Sequence, residues 1–175
     1  CTAAIAAAAA SFALLGSAGA AAETLVTRLD VLGMRALGAV QLTASPADIG
    51  TVDNVFDNDE AALMLSAAVN PAFVQVACTV SQTIHAFTVR LSNASYHRWM
   101  VESADTEYDL QTQSGTYALL VPWTDVYGSP LQIVTSSVTL AQPRAARIFR
   151  LTVRRITGDD YVHINEWELQ GEITF

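Results

Sequence analysis

His85, His97 and His163 are the first side chains to test for chemistry, because imidazole ligates metals and moves protons near neutral pH. No pair of them has the HExxH spacing, and the chain contains no GxSxG nucleophile elbow. His163 and Glu166 are three apart, which on a regular strand sends them to opposite faces. Cys1 and Cys78 permit one bridge at most and give too few ligands for a structural zinc. No catalytic residue is assigned, and the chain is read as non-enzymatic. The aromatic residues offer a different chemistry. Tyr96-His97-Arg98-Trp99 joins rings that stack on sugars to groups that hydrogen-bond hydroxyls. Trp123, Tyr127 and Trp167 extend the set. Large aromatics mostly serve the core, and Trp99 and Trp167 are placed there. Tyr96, His97 and Tyr127 stand beside turn residues, so they are expected at the surface, with ligand contact as the second reading of them. Cys78 lies on the inward side of an apolar strand and reads as a buried free thiol.

Charge removes several partners from consideration. The 175 residues carry nine Arg, no Lys and 17 acidic groups, for a net charge of −8. A nucleic-acid binder needs a basic face for phosphates, which this balance does not favour. Anionic lipid headgroups are disfavoured for the same reason. Hydrophobic residues make up 51% and charged residues 15%, a balance that suits a buried core and not a disordered chain.

The elements that must carry these side chains are strands. Phe73 to Cys78 alternates, with Val74, Val76 and Cys78 on one face; Thr83 to Leu91 aligns Phe87, Val89 and Leu91. Trp99 to Ser103, Thr116 to Trp123 and Leu131 to Leu140 follow. Arg147 to Ile156 turns Phe149, Leu151 and Val153 inward, and Tyr161 to Gly171 closes the series. Turn chemistry separates them at Ser92-Asn93-Ala94-Ser95, Gln113-Ser114-Gly115, Tyr127-Gly128-Ser129-Pro130, Gln142-Pro143 and Gly158-Asp159-Asp160. Asn93-Ala94-Ser95 also fits the N-glycosylation pattern, which arises often by chance. Many short strands at this spacing predict an all-β sandwich or jelly roll. In the last strand Val162 and Ile164 are apolar in one phase, Trp167 and Leu169 in the other. The slip at Asn165-Glu166 predicts a β-bulge, which would aim the Glu166 carboxylate at a specific place.

Several of these segments resemble the discoidin, or coagulation factor 5/8 type C, family. Asn54-Val55-Phe56-Asp57-Asn58-Asp59 looks like its early loop. Phe73-Val74-Gln75-Val76, Ile84 through Val89 and Ala146 through Leu151 look like core strands. The most specific match is Tyr161-Val162-His163-Ile164-Asn165-Glu166-Trp167-Glu168-Leu169-Gln170-Gly171. The resemblance spans residues 50 to 172 and implies a galactose-binding-like jelly roll. Such domains mostly bind glycans, lipids or proteins through loops at one end and mostly lack catalysis. The resemblance also implies a structural calcium ion, held by Glu166 with Asp57, Asp59 and backbone carbonyls, since calcium takes six to eight oxygens. The family's loop usually continues to a Thr or Ser, where this chain reads Ala61-Ala62-Leu63. The competing reading pairs Glu166 with an arginine such as Arg150 and leaves Asp57-Asn58-Asp59 as an ordinary turn.

Residues 1 to 22 stand apart: they carry no charge, and twelve of them are Ala. As a helix they would rise about 33 Å, enough to cross a bilayer core. They read as a signal peptide, as a lipoprotein start with lipid on Cys1, or as a helix buried against copies of itself. Leu25, Leu29, Leu32 and Ala36 recur at helical spacing and extend such a helix; Val26, Leu29 and Val31 fit an irregular strand equally well. The expected organisation is an apolar anchoring or assembly segment over 1–40, a linker over 41–49, and a discoidin-like β-sandwich over 50–175. The expected function is an extracellular or cell-surface protein that assembles with copies of itself through its N-terminal segment and displays an adhesive head. The layout is that of pilin-like filament subunits, by analogy only. The alternative is a secreted or lipid-anchored carbohydrate-binding module. Glycans are the expected ligands, nucleic acid is not, and contact with a membrane is confined to the N-terminal segment.

Overall fold

Alternation of apolar and polar residues puts one side of each strand in water and the other in the core, so the strands must pack as opposed layers. The computed structural model describes residues 24–66, 69–93, 96–128, 132–157 and 161–174. The readings of residues 1–22 and of Cys1 lie outside the described residues, as do Ala94 and Ser95 of the glycosylation tripeptide. Nine strands are described: β1 Thr24–Arg28, β2 Val40–Ala44, β3 Met64–Ser66, β4 Ala72–Asn93, β5 Tyr96–Ala104, β6 Ala118–Val126, β7 Gln132–Thr157, β8 Val162–Ile164 and β9 Glu166–Thr174. Two short helices join them, α1 Val31–Ala36 and α2 Glu107–Thr112, with a 3-10 turn at Val52–Val55.

β4 and β7 each replace two expected strands. They form one antiparallel pair long enough to enter both layers. The first half of β4 pairs with β2 and with the second half of β7, which continues through β5 to β6. The second half of β4 pairs with the first half of β7 and with β9, and β9 pairs with β1. The register shifts between Ala77 and Gln82, and again between Ile84 and Ala86. Bulges of this kind turn the paired strands from one layer into the other, and Pro143, opposite the second, is tolerated there.

Between the layers lie Val74, Val76, Phe87, Val89, Leu91, Trp99, Val101, Phe149, Leu151, Val153, Trp167 and Leu169, all buried. The Phe87 ring meets Phe149 at 6.2 Å and Trp167 at 6.3 Å between centroids. Trp99 Nε1 donates to Ser136 Oγ at 3.0 Å, satisfying the one polar atom that so large a ring brings inside. The fold is therefore an all-β sandwich, as expected.

Two expectations are corrected. The stretch 24–44 is not a continuous helix running into a linker. Thr24–Arg28 and Val40–Ala44 are strands of the sandwich, with only the six residues of α1 helical between them. Leu29 is buried while Leu25 is 55% exposed, so their helical spacing does not mark one face. The phase slip at Asn165 is a change of sheet: β8 pairs with β3 in a small second sheet, and β9 joins β1 and β4. Asn165 sits at the switch, its backbone N–H donating to the Arg90 carbonyl and its Nδ2 to the Glu60 carbonyl, both at 2.9 Å. Among the described residues no helix is long and apolar enough to cross a membrane.

Candidate functional site

Antiparallel pairing gathers several chain segments at one end of the sandwich. Tyr96 opens β5 opposite Thr157, the end of β7, and His97 pairs with Val126, the end of β6. Asn70, just before β4, exchanges two 3.0 Å hydrogen bonds with the backbone of Arg155. The start of β5 and the ends of β6 and β7 therefore meet at this end.

Side-chain alternation on β5 separates the candidates here. Tyr96 lies outward and stacks on Tyr127, which follows β6, with centroids 4.4 Å apart and planes at 11°. Tyr127 is 66% exposed. The Tyr96 hydroxyl donates to Asp125 Oδ1 at 2.8 Å, and Arg98 Nε stands 2.6 Å from the same oxygen. Hydrogen bonding to Tyr127 and to Asp125 holds the Tyr96 hydroxyl well above the usual phenol range. The pair is thus a neutral aromatic surface, oriented by a carboxylate that an arginine in turn fixes.

His97 departs from expectation: it is buried. It shares the inward phase of Trp99 and Val101, a signal present in the sequence that outweighs its nearness to a turn. Its ring meets that of His163 edge-on at 5.8 Å, and His163 meets Tyr161 at 6.3 Å. Ser92 Oγ lies 3.1 Å from His163 Nδ1. These rings support the loop end from beneath, and sequence reading missed both Tyr161 and His163 in that role. Trp99 and Trp167 are in the core, and Cys78 is buried as expected.

Glu166 stands at the start of β9 and is completely buried. Its partner is Arg28 of β1, whose Nη2 is 3.0 Å from Glu166 Oε2. Arg150, the alternative partner, pairs instead with Glu107 of α2 at 2.9 Å. Burial pushes the Glu166 carboxyl above the usual range, opposed chiefly by the charge of Arg28. The other oxygen, Oε1, is buried without a hydrogen-bond partner. That orphaned oxygen would suit a cation, but the rest of the set does not. Asp57 Oδ1 accepts from the Asp59 N–H at 2.9 Å, and Asp59 Oδ1 from the Ala61 N–H at 3.0 Å. The Asn58 side-chain oxygen and the Phe56 carbonyl both face Arg28. Among the described residues no three of His, Cys, Asp and Glu are gathered as metal ligands. Asp57, Asp59 and Glu166 therefore do not fit the calcium site implied by the resemblance.

No protein-family model matches the sequence, and no curated protein matches it either. Solved structures do match in shape. The family 32 carbohydrate-binding module of NanJ from C. perfringens, determined with galactose, has a TM-score of 0.60 at 12% identity, over 83% of this chain and 99% of that one. The corresponding module of AlyQ, determined with 4,5-unsaturated mannuronic acid, has a TM-score of 0.57 at 15% identity, over 74% of this chain and 92% of that one. A pectin-binding carbohydrate-binding module gives 0.57 at 15% identity, over 74% and 88%. The likeness fixes the fold as the discoidin-type, galactose-binding-like jelly roll.

Proposed function

We propose that the domain is a non-catalytic glycan-binding head whose ligand rests on Tyr127. The observation that carries this reading is the exposed Tyr127 ring, backed by Tyr96 at 4.4 Å and placed where the ends of β5, β6 and β7 meet. A pyranose presents a flat C–H face that suits an aromatic ring, while Asp125 and Arg98 supply an acceptor and donors at its edge. Backing by a second ring matters, because a platform already held in place loses less freedom when a ligand arrives. The fold supports the same reading, since the solved structures it resembles are carbohydrate-binding modules. Fold alone does not assign a ligand; the Tyr96–Tyr127 ring pair is the feature that favours a sugar. The test is binding to a broad panel of immobilised glycans, in parallel with Tyr127→Ala. Retention on specific glycans that disappears in the variant supports the reading; no retention on any glycan overturns it.

The second reading concerns display. The uncharged, Ala-rich residues 1–22 favour a protein shown outside the cell or at its surface, assembled through those segments with heads outward. Sedimentation of the intact chain without detergent tests it, and a monomer there defeats it.

A further inference from the structure

We infer that Arg28 acts as a built-in cation, clamping the 56–60 loop to β9 in place of a metal ion and making that clamp independent of calcium. Arg28 sits in β1, a strand that lies before the stretch of discoidin resemblance and pairs with β9 along its whole length. From there its guanidinium reaches oxygens of two separate segments. Nη2 is 3.0 Å from Glu166 Oε2 and 3.4 Å from the Phe56 carbonyl, and Nη1 donates to Asn58 Oδ1. Nη1 also stands 3.6 Å from Glu168 Oε1. A carboxylate, a backbone carbonyl and a side-chain amide oxygen are the donor types that a hard divalent ion collects. Here a fixed fork of N–H donors collects them instead.

Two further observations support the substitution. Arg90 of β4 repeats the arrangement on the other side of β9, with Nε 2.9 Å from Glu60 Oε1 and Nη1 donating to Glu168. The loop is thus tied to the sheet by two arginines acting on Glu60, Glu166 and Glu168. A divalent ion at Glu166 would also have to sit beside the positive charge of Arg28, which repels it. The groove beside the clamp, about 440 Å³ and lined by Arg28, Leu29, Asp30, Phe56, Asp57 and Asn58, brings solvent to the guanidinium. Ions therefore have access, and the question is open to direct measurement.

The experiment is thermal unfolding of the full chain in millimolar calcium and in EDTA, with calcium titration by calorimetry. A bound ion would raise Tm; the expected shift is no more than about 1 °C, with no binding heat. Arg28→Met is expected to lower Tm by about 10 °C in both buffers, because it strands a buried carboxylate. Arg28→Met combined with Glu166→Gln is expected to recover part of that loss. Should Arg28→Met fail to fold, the wild-type calcium comparison and Arg28→Lys, expected to fold with a Tm below that of wild type, still decide. Calcium raising the wild-type Tm by several degrees, or a stoichiometric binding heat, overturns the inference, as does an Arg28→Met chain that melts like wild type. Glycan retention is read through Tyr127, which makes none of the Arg28 contacts, so neither result can stand in for the other.

Discussion

Tyr96 and Tyr127 lie ring on ring, 4.4 Å between centroids and 11° from parallel, with the Tyr96 hydroxyl tied to Asp125. One ring is the surface and the other its support, so the two predict different losses. Tyr127→Ala removes the surface, and affinity for a retained glycan is expected to fall at least about tenfold. Its Tm is expected to change by less than about 4 °C, because the side chain is mostly exposed. Tyr96→Phe keeps the stack and loses only the anchor, so a loss of about threefold is expected. Calorimetric titration on the best ligand from the panel reads both; an unaffected Tyr127→Ala contradicts the placement of the site.

What the sequence disclosed and what it concealed follow one physical division. Alternation is local, so the inward faces through Val74, Phe87, Phe149 and their neighbours were readable, and so was the change of phase at Asn165. Edge strands lack that signal. Leu25 and Val26 of β1 are both exposed, so the spacing left Thr24–Arg28 open between a helix and an irregular strand. Arg28 was missed with it, because its partner Glu166 lies 138 residues away and only pairing of β1 with β9 brings them together. Tyr96 and Tyr127 were identified singly; their stacking required the register of β5 on β6.

Arg150 holds α2 onto the outer face of the sheet. Its Nε and Nη2 donate to Gln75 Oε1 at 2.9 and 2.6 Å, Nη2 also donates to Glu107 Oε1 at 2.9 Å, and the guanidinium lies 5.0 Å from the centre of the Phe73 ring. Burial opposes ionisation of Glu107, but hydrogen bonds from Gln111 and Gln75 and the charge of Arg150 outweigh it and hold the carboxyl below its usual range. Arg150→Met keeps some of the packing and leaves the buried Gln75 oxygen unpaired. The expected cost is about 2 kcal/mol, read from urea unfolding. A change within error would mean that Gln75 finds water instead.

Cys78 lies in the first register shift of β4, buried, with its thiol pushed up to about 11 by burial against a smaller opposing effect of Arg147. Only the thiolate is nucleophilic. At pH 8 the folded protein is expected to alkylate at Cys78 about two hundred times more slowly than the chain in guanidinium, where an ordinary thiol near pKa 8.5 is restored. Peptide mass spectrometry separates this site from Cys1. Fast labelling of the native protein at Cys78 would show that the strand opens there.

Asp109 closes the turn after α2. Its Oδ2 accepts from Thr116 Oγ1 at 2.7 Å and from the Thr116 N–H at 3.3 Å, and its own N–H donates to Thr106 Oγ1 at 3.1 Å. The Thr116 hydroxyl is the main cause that holds this carboxyl below its usual range. A carboxylate with a depressed folded pKa adds stability that is complete above its unfolded value and lost as pH falls through the folded one. Asp109→Asn is therefore expected to be less stable than wild type by a constant margin above about pH 5, with the gap closing below about pH 4. Gly115 in the same turn has φ +58°, and a Cβ there would stand 2.4 Å from Asp109 Oδ1. Gly115→Ala meets both the left-handed backbone and the carboxylate, and is expected to cost about 2 kcal/mol. Part of that cost comes from displacing the carboxylate, so the acid-dependent part of stability should shrink in Gly115→Ala as well. Urea unfolding at pH 3.5 and pH 7 measures both variants. A Gly115→Ala chain that keeps the full pH dependence of wild type would show that the turn yields without disturbing Asp109.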